Sequence, residues 1–171
     1  MTETDRLVAN AAKYFDNGGH DGTRAVQPAL RVAVVACMDS RIDLFALLGL
    51  HVGDAHVIRN AGGVVTDDTI RSLAISQRFL GTREIVLIHH TNCGLEGLND
   101  EQLAEDLEAE TGTRPTWRAR GFTDPAEDVR RSMAALGADP FVKQKSSIRG
   151  FVFDVATGRL HEVEATGGGP A

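Results

Sequence analysis

The stretch Arg31–Ala36 (RVAVVA) is a short run of β-branched and small apolar residues, and Cys37 follows it directly. An apolar run without strict alternation is typical of a strand that is buried on both faces of a parallel sheet. Three further runs favour strands in the same way: Ala55–Arg59 (AHVIR), Glu84–His90 (EIVLIHH) and Phe151–Val155 (FVFDV). After a Thr-Gly turn, Leu160–Val163 is predicted to return as an antiparallel edge strand.

Helical patterns separate these strands. They cover residues 41–50, 67–80, 99–110 and 124–136. The acidic pair at 67–68 suits the positive N-terminal end of a helix, and Pro125 after Asp124 is typical of an N-cap and a first turn. Strands that alternate with helices predict an α/β fold, with a mostly parallel central β-sheet flanked by helices.

Residues 1–17 are predicted to form an N-terminal helical arm. Within them, residues 4–16 carry apolar side chains at helical spacing, namely Leu7, Ala11, Tyr14 and Phe15. A linker from Gly18 to Pro28 follows. Such an arm packs either on a neighbouring subunit or on its own core, and the sequence leaves both open. Residues 166–171 (TGGGPA) are predicted to be the disordered tail of a single domain that spans residues 1–171.

Composition limits the classes of function. With 42% hydrophobic and 25% charged residues, the chain is typical of a globular protein, and its net charge of -6 argues against a broad nucleic-acid-binding face. The N-terminal stretch lacks the apolar segment of a signal peptide, and the apolar runs are too short to span a membrane. We therefore expect a cytoplasmic protein whose two cysteines are thiols, ligands or nucleophiles rather than a disulfide.

Side chains that bind metals stand at two of the predicted strand ends. Cys37 directly follows the first strand, His90 ends the third, and Cys93 lies three residues further on. The carboxyl ends of parallel strands meet at one edge of a sheet, where α/β folds place their sites. Two thiolates and one imidazole suit zinc, and three protein ligands leave the fourth position open, as in catalytic zinc sites.

Three motifs together resemble those of β-class carbonic anhydrases. They are Cys37-Met38-Asp39-Ser40-Arg41, Val57-Ile58-Arg59-Asn60-Ala61-Gly62 and His90-Thr91-Asn92-Cys93-Gly94, in the order and at the spacing of that family. The resemblance runs from about residue 31 to residue 163. It is to the compact bacterial and archaeal forms, and parts of it are similar to actinobacterial members. It implies one zinc ion (Zn2+) per subunit, bound by Cys37, His90 and Cys93.

The resemblance also implies a reaction and the roles of the residues beside the metal. Zinc lowers the pKa of bound water, which then releases a proton, and the resulting hydroxide adds to carbon dioxide to give bicarbonate. Asp39 and Arg41 form a catalytic dyad, in which Asp39 either pairs with Arg41 or moves onto zinc as a fourth ligand. Members of the family assemble as homodimers or homotetramers, with the active sites at the dimer interface.

Several alternatives stay open. Relatives with the same ligands hydrolyse carbonyl sulfide or carbon disulfide, and a non-catalytic zinc-binding protein would lack one member of the Asp39–Arg41 pair. Asp39 could instead only cap the helix that follows it. His89 competes with His90 as a ligand, but consecutive strand residues face opposite sides of a sheet, and the spacing to Cys93 selects His90.

Two further groups of residues have no settled role. The proton shuttle is unidentified, and its candidates are His51, Asp54, His56 and His89. The stretch Arg59–Gly63 is predicted either to be a simple turn, in which glycine permits positive φ, or to leave room for a small substrate beside zinc.

Overall fold

Residues 1–18 and 20–165 are described by a computed structural model. Its strands are β1 Val32–Cys37, β2 Ala55–Asn60, β3 Glu84–His90, β4 Ile148–Asp154 and β5 Arg159–Val163. Within the described residues they form one five-stranded sheet in the order β2-β1-β3-β4-β5. Strands β1 to β4 pair in parallel, and β5 pairs antiparallel to β4. The predicted mostly parallel sheet with an antiparallel edge strand is confirmed.

Helices connect the strands. They are α1 Glu3–Asp16, α2 Leu44–Leu48, α3 Asp67–Phe79, α4 Asp100–Thr111 and α5 Pro125–Ala138, with a short 3-10 turn at Ala61–Gly63. Helix α5 begins as predicted, because the Asp124 side chain accepts hydrogen bonds from the backbone N–H groups of Ala126 and Glu127. The helix predicted at 41–50 is shorter, because Asp43 caps it by accepting from the Ala46 N–H group at 3.1 Å.

Side chains that alternate along β1 build two cores. Val35 points to one face of the sheet and packs in a buried cluster with Leu73 of α3 and Leu136 of α5. Val34 points to the other face, where its buried cluster includes Leu44 of α2. Strand β1 is thus covered on both sides, which explains its continuous apolar sequence.

Helix α1 stands apart from these cores. In the described chain none of its residues is buried, and Leu7, Val8 and Phe15 are 62%, 65% and 75% exposed. Thr2 and Asp5 close its first turn with reciprocal hydrogen bonds. Of the two roles predicted for the arm, packing on its own core is therefore wrong, and its apolar stripe faces solvent.

Two predictions about the ends and the environment of the chain have different outcomes. The predicted disorder of residues 166–171 lies outside the described residues. Among the residues that the structure does describe, no helix combines the length and the apolar character needed to cross a lipid bilayer.

Candidate metal centre

The carboxyl ends of β1 and β3 bring together three side chains that could hold a metal ion. Cys37 is the last residue of β1, His90 is the last residue of β3, and these strands are neighbours in the sheet. Cys93 follows β3 by three residues. All three side chains are buried, and their ligand atoms lie within 4.8 Å of one another. The structure thus places the predicted ligands in one cluster.

The geometry of this cluster suits a tetrahedral zinc ion. The Sγ atoms of Cys37 and Cys93 are 4.0 Å apart, and zinc–sulfur bonds of about 2.3 Å at the tetrahedral angle separate two sulfurs by about 3.8 Å. His90 Nδ1 donates to the carbonyl oxygen of Thr91 at 3.0 Å, which leaves the lone pair on Nε2. Nε2 is buried and has no hydrogen-bond partner among the described residues. A buried, unpartnered lone pair beside two sulfurs fits a metal ligand.

The charges in the cluster also favour a cation. Burial opposes the ionisation of Cys37, but the His90 imidazole and two backbone N–H groups outweigh it and lower the pKa of the thiol to about 7. Burial raises the pKa of Cys93, and the negative charge on Cys37 raises it further. The cluster alone therefore accommodates one thiolate, and the second requires a neighbouring positive charge such as zinc.

Asp39 and Arg41 form a two-pronged ion pair beside the cluster. Arg41 Nε donates to Asp39 Oδ1 at 2.9 Å, and Nη2 donates to Oδ2 at 2.7 Å. Nη2 also donates to the carbonyl oxygen of Asn92 at 2.9 Å, in the loop between His90 and Cys93. The hydrogen bonds from Arg41 hold the pKa of the Asp39 carboxyl well below its usual range. Asp39 is therefore a carboxylate that Arg41 orients.

The carboxylate of Asp39 borders the position that the three ligands surround. Its Oδ2 atom lies 3.7 Å from His90 Nε2. Of the two states implied for Asp39, the structure shows the one that is paired with Arg41. The alternative that Asp39 only caps a helix is wrong, because Asp43 is the N-cap of α2.

Arg59 braces the site in a way that the sequence did not predict. Its Nε donates to the carbonyl oxygen of Cys37 at 2.9 Å, and its Nη2 donates to the carbonyl oxygen of Asp39 at 2.6 Å. Arg59 is a charged residue near the carboxyl end of β2, next to the apolar residues Val57 and Ile58. A charge at that position was the available signal, since the end of a neighbouring parallel strand lies beside the site.

Gly63 makes close contact with both strands that carry predicted metal ligands. It has φ +71°, and a Cβ atom there would lie 2.8 Å from the Cys37 nitrogen and 2.9 Å from the Ile88 oxygen. Both atoms belong to the backbone and cannot rotate away. The end of the stretch Arg59–Gly63 is therefore a position where the fold requires glycine.

We expect Gly63→Ala to destabilise the protein by more than about 2 kcal/mol, because the left-handed φ and the clash with β1 and β3 add together. Gly158→Ala is the matched control, because Gly158 has φ +72° but no atom within 4 Å of the added Cβ. Urea unfolding of both variants measures the difference. Equal losses of stability would show that the contacts of Gly63 with Cys37 and Ile88 have no effect.

His89 points away from the metal cluster. It is fully buried, and its Nε2 lies 2.8 Å from Asp128 Oδ2 on α5, whereas His90 faces the sulfurs. The alternation along β3 thus separates the two histidines as predicted.

The other three shuttle candidates lie near the amino ends of the strands. His56 pairs with Ala33, four residues before Cys37, which is about 13 Å along a strand. His51 and Asp54 precede β2, and the His51 N–H group donates to Asp54 Oδ2 at 2.7 Å. These three residues therefore do not reach the cluster of their own chain.

Comparisons with known proteins agree with this geometry. The sequence model of the carbonic anhydrase family matches residues 32–117. Beta-carbonic anhydrase 1 of Mycobacterium tuberculosis is 53% identical over 163 residues, which cover 95% of this chain and 99% of that protein. The crystal structure of a carbonic anhydrase from Streptococcus mutans matches with a TM-score of 0.87 at 41% identity, over 96% of this chain and 99% of that one.

A related enzyme that acts on a different substrate is more distant. A carbon disulfide hydrolase of Acidithiobacillus thiooxidans is 36% identical over 151 residues, which cover 76% of this chain and 75% of that protein. The identity to the mycobacterial protein is higher and extends over nearly the whole of both chains. The fold, the metal cluster and these similarities agree, and the chain belongs to the β-carbonic anhydrase family.

Proposed function

We propose that this protein is a zinc-dependent carbonic anhydrase that interconverts carbon dioxide and bicarbonate, with one zinc ion per subunit. Cys37, His90 and Cys93 hold the metal, and Asp39 and Arg41 are the catalytic dyad. The observation that carries the proposal is the buried Cys-His-Cys cluster, with its unpartnered imidazole nitrogen, next to the Asp39–Arg41 ion pair. The 53% identity with a mycobacterial β-carbonic anhydrase supports it.

Each residue of the dyad has a distinct task. Zinc, when bound, supplies Lewis acidity that can lower the pKa of a water molecule to about 7. Asp39 accepts a hydrogen bond from the O–H group of the attacking oxygen and directs its lone pair toward the substrate carbon. Arg41 keeps Asp39 ionised, so that the carboxylate acts only as an acceptor.

The surroundings of the cluster suit an uncharged substrate. Cys37 and Cys93 belong to a buried apolar cluster that also contains Val64, Ile88 and Phe122. This wall keeps bulk water from the metal position on that side, so that electrostatic interactions there are stronger than in water. Carbon dioxide has no charge to desolvate, and it can enter such a site at little cost.

Stopped-flow hydration of carbon dioxide by zinc-loaded protein tests the proposed activity. Release of hydrogen sulfide from carbonyl sulfide and carbon disulfide is measured in parallel, because these linear molecules, like carbon dioxide, carry no charge to desolvate. We expect hydration with negligible sulfide release. Appreciable sulfide release with negligible hydration would show that the protein is a carbonyl sulfide or carbon disulfide hydrolase instead. The absence of both activities would favour a non-catalytic zinc protein.

The exposed apolar stripe of α1 supports assembly into a homodimer or homotetramer. Leu7 and Phe15 lie on one side of the helix, whereas Ala9 lies on the opposite side. An unpartnered amphipathic helix next to a linker is suited to pack on a second subunit, which would bury these side chains.

We expect the protein to sediment as a dimer or larger, and the double variant Leu7→Asp with Phe15→Asp to shift toward monomer, because the charges would be buried in the interface. Ala9→Asp places the same charge on the polar side and is expected to leave the assembly unchanged. Sedimentation velocity at micromolar concentration measures all three proteins. A wild-type monomer that stays fully active on dilution would contradict this prediction.

The cysteines support a cytoplasmic location, which we also propose. Both are free and buried, and both are metal ligands in the proposed site, as suits a reducing compartment. Cell fractionation with an antibody to the protein tests this location, and recovery outside the cytoplasmic fraction would contradict it.

A further inference from the structure

A second polar pair lies across the sheet from Cys37, His90 and Cys93, and the proposed reaction does not use it. His89 is fully buried and immediately precedes His90, but it faces α5. Its Nε2 lies 2.8 Å from Asp128 Oδ2, and Arg131 Nη2 donates to the other oxygen of Asp128 at 2.7 Å. The pair joins the last residues of β3 to the first half of α5.

The burial of this polar pair contributes little to the stability of the fold. The Asp128 side chain is only 13% exposed, and the second ring nitrogen of His89, Nδ1, is buried without a hydrogen-bond partner among the described residues. The ring of Phe122 lies 5.4 Å from the His89 ring, so an apolar side chain would pack at this position as well. Apolar replacements of buried ion pairs are often neutral or stabilising. A contribution to stability therefore does not explain why these two residues are paired. The part of the chain that the pair holds, the end of β3, offers an explanation.

The pair acts at the point where β3 ends. His89 pairs with Val152 and His90 pairs with Phe153, which is the last pair between β3 and β4. After it, the chain turns toward Cys93. Helix α5 is packed firmly on the sheet, because Val129 and Leu136 are fully buried in the core that it shares with the strands. It approaches the sheet so closely that a Cβ atom on Gly150 of β4 would lie 2.2 Å from Val129 Cγ1. Asp128 therefore holds the strand end from a fixed platform.

We propose that Asp128 and His89 form a tether that positions His90 for metal binding. His89 and His90 share a peptide bond, so fixing the ring of His89 on one face limits the rotation of the strand that would tilt the His90 imidazole on the other. Both are positioning residues, and neither touches the metal. The proposal rests on the proposed zinc site and adds to it a support from the opposite face of the sheet.

Zinc affinity and the geometry of the metal site test the tether. The variants are His89→Leu, Asp128→Leu and Asp128→Asn, and the matched control is His56→Leu. His56 Nδ1 lies 2.7 Å from Ser76 Oγ of α3, so the control cuts a similar strand-to-helix bond at the far end of the sheet. Zinc affinity is measured by competition with a chelator, and the visible spectrum of the cobalt-substituted protein reports ligand geometry.

We expect His89→Leu and Asp128→Leu to weaken zinc binding about 10-fold, the lower end of the range for residues that support a ligand. Their cobalt spectra should shift, and the double variant should lose no more than either single one, since both cut the same tether. Asp128→Asn retains an acceptor for the His89 N–H group and should recover most of the affinity. His56→Leu should keep the zinc affinity of the wild type, even if its melting temperature falls as far as those of the His89→Leu and Asp128→Leu variants.

Wild-type affinity and an unchanged cobalt spectrum in Asp128→Leu would overturn the tether, as would an equal loss of affinity in His56→Leu. If His89→Leu does not fold, the two Asp128 variants decide the question alone. These outcomes are distinct from failure of the proposed function, in which the wild-type protein would bind no zinc through Cys37, His90 and Cys93.

Discussion

Cys37→Ala, His90→Ala and Cys93→Ala are each expected to lose zinc and carbon dioxide hydration together. Each variant removes one of the three proposed ligand atoms, which lie within 4.8 Å of one another. The carboxylate of Asp39 borders them, but it is held in the ion pair with Arg41 and cannot replace a lost thiolate or imidazole in that state. Since replacing a residue that merely supports a ligand costs roughly 10–100-fold in metal affinity, the loss for a ligand itself should exceed about 100-fold.

Metal content after gel filtration, together with the stopped-flow rate, measures this effect. His161→Ala is the control for His90→Ala, because His161 is an exposed histidine on β5. The control is expected to keep both zinc and activity. The ligand assignment would be wrong if His89→Ala removed the metal completely while His90→Ala retained it, because the roles of the two neighbouring histidines would then be exchanged.

Asp39→Ala is expected to keep zinc and to lose most of its turnover. The carboxylate lies 3.7 Å from His90 Nε2 but pairs with Arg41, so it is not needed to hold the metal in the state that the structure shows. Its removal takes away the acceptor that orients the attacking oxygen. Groups that act on a reacting proton typically accelerate a reaction by about 10²–10⁴-fold. We expect kcat to decrease by a factor in that range.

Asp43→Ala separates this effect from a general loss of local structure. Asp43 lies four residues further along and caps α2, so its removal should cost about 1 kcal/mol of stability and leave kcat unchanged. Zinc content and kcat are measured for both variants. A large loss of zinc from Asp39→Ala would instead show that Asp39 is a resident fourth ligand in the working enzyme.

Local sequence was sufficient to predict the strands that carry the proposed ligands. The run at Glu84–His90 matches β3 at both ends, and the alternation of a strand correctly separated His89 from His90. The strand predicted at 151–155 begins earlier in the structure, at Ile148. The sequence pattern missed its first residues because Gly150 resembles the end of a strand rather than its interior. In the structure, the missing side chain of Gly150 admits Val129 of α5.

Contacts between distant parts of the chain could not be predicted in the same way. The pairing of His89 with Asp128 joins residues that are 39 positions apart, and nothing in either segment indicates the other. Arg59 was predicted to end a strand and to begin either a turn or a space for the substrate, but not to hold the site. Its two carbonyl partners become visible only when β2 lies beside β1. The shuttle candidates His51 and His56 were chosen by residue type, whereas the parallel register decides which end of the sheet they occupy.

The separation of Cys37 and Cys93 along the chain has a consequence for folding. They are 56 residues apart, and the segment between them contains β2, α3 and β3. An ion that binds both sulfurs in the folded protein joins the two ends of this segment. Because the complete site exists only in the folded chain, the free energy of metal binding adds to the stability of the fold. The proposed zinc ion therefore also links the two ends of a segment that makes up about a third of the polypeptide. Proteases should consequently digest the apoprotein faster than the zinc-loaded protein.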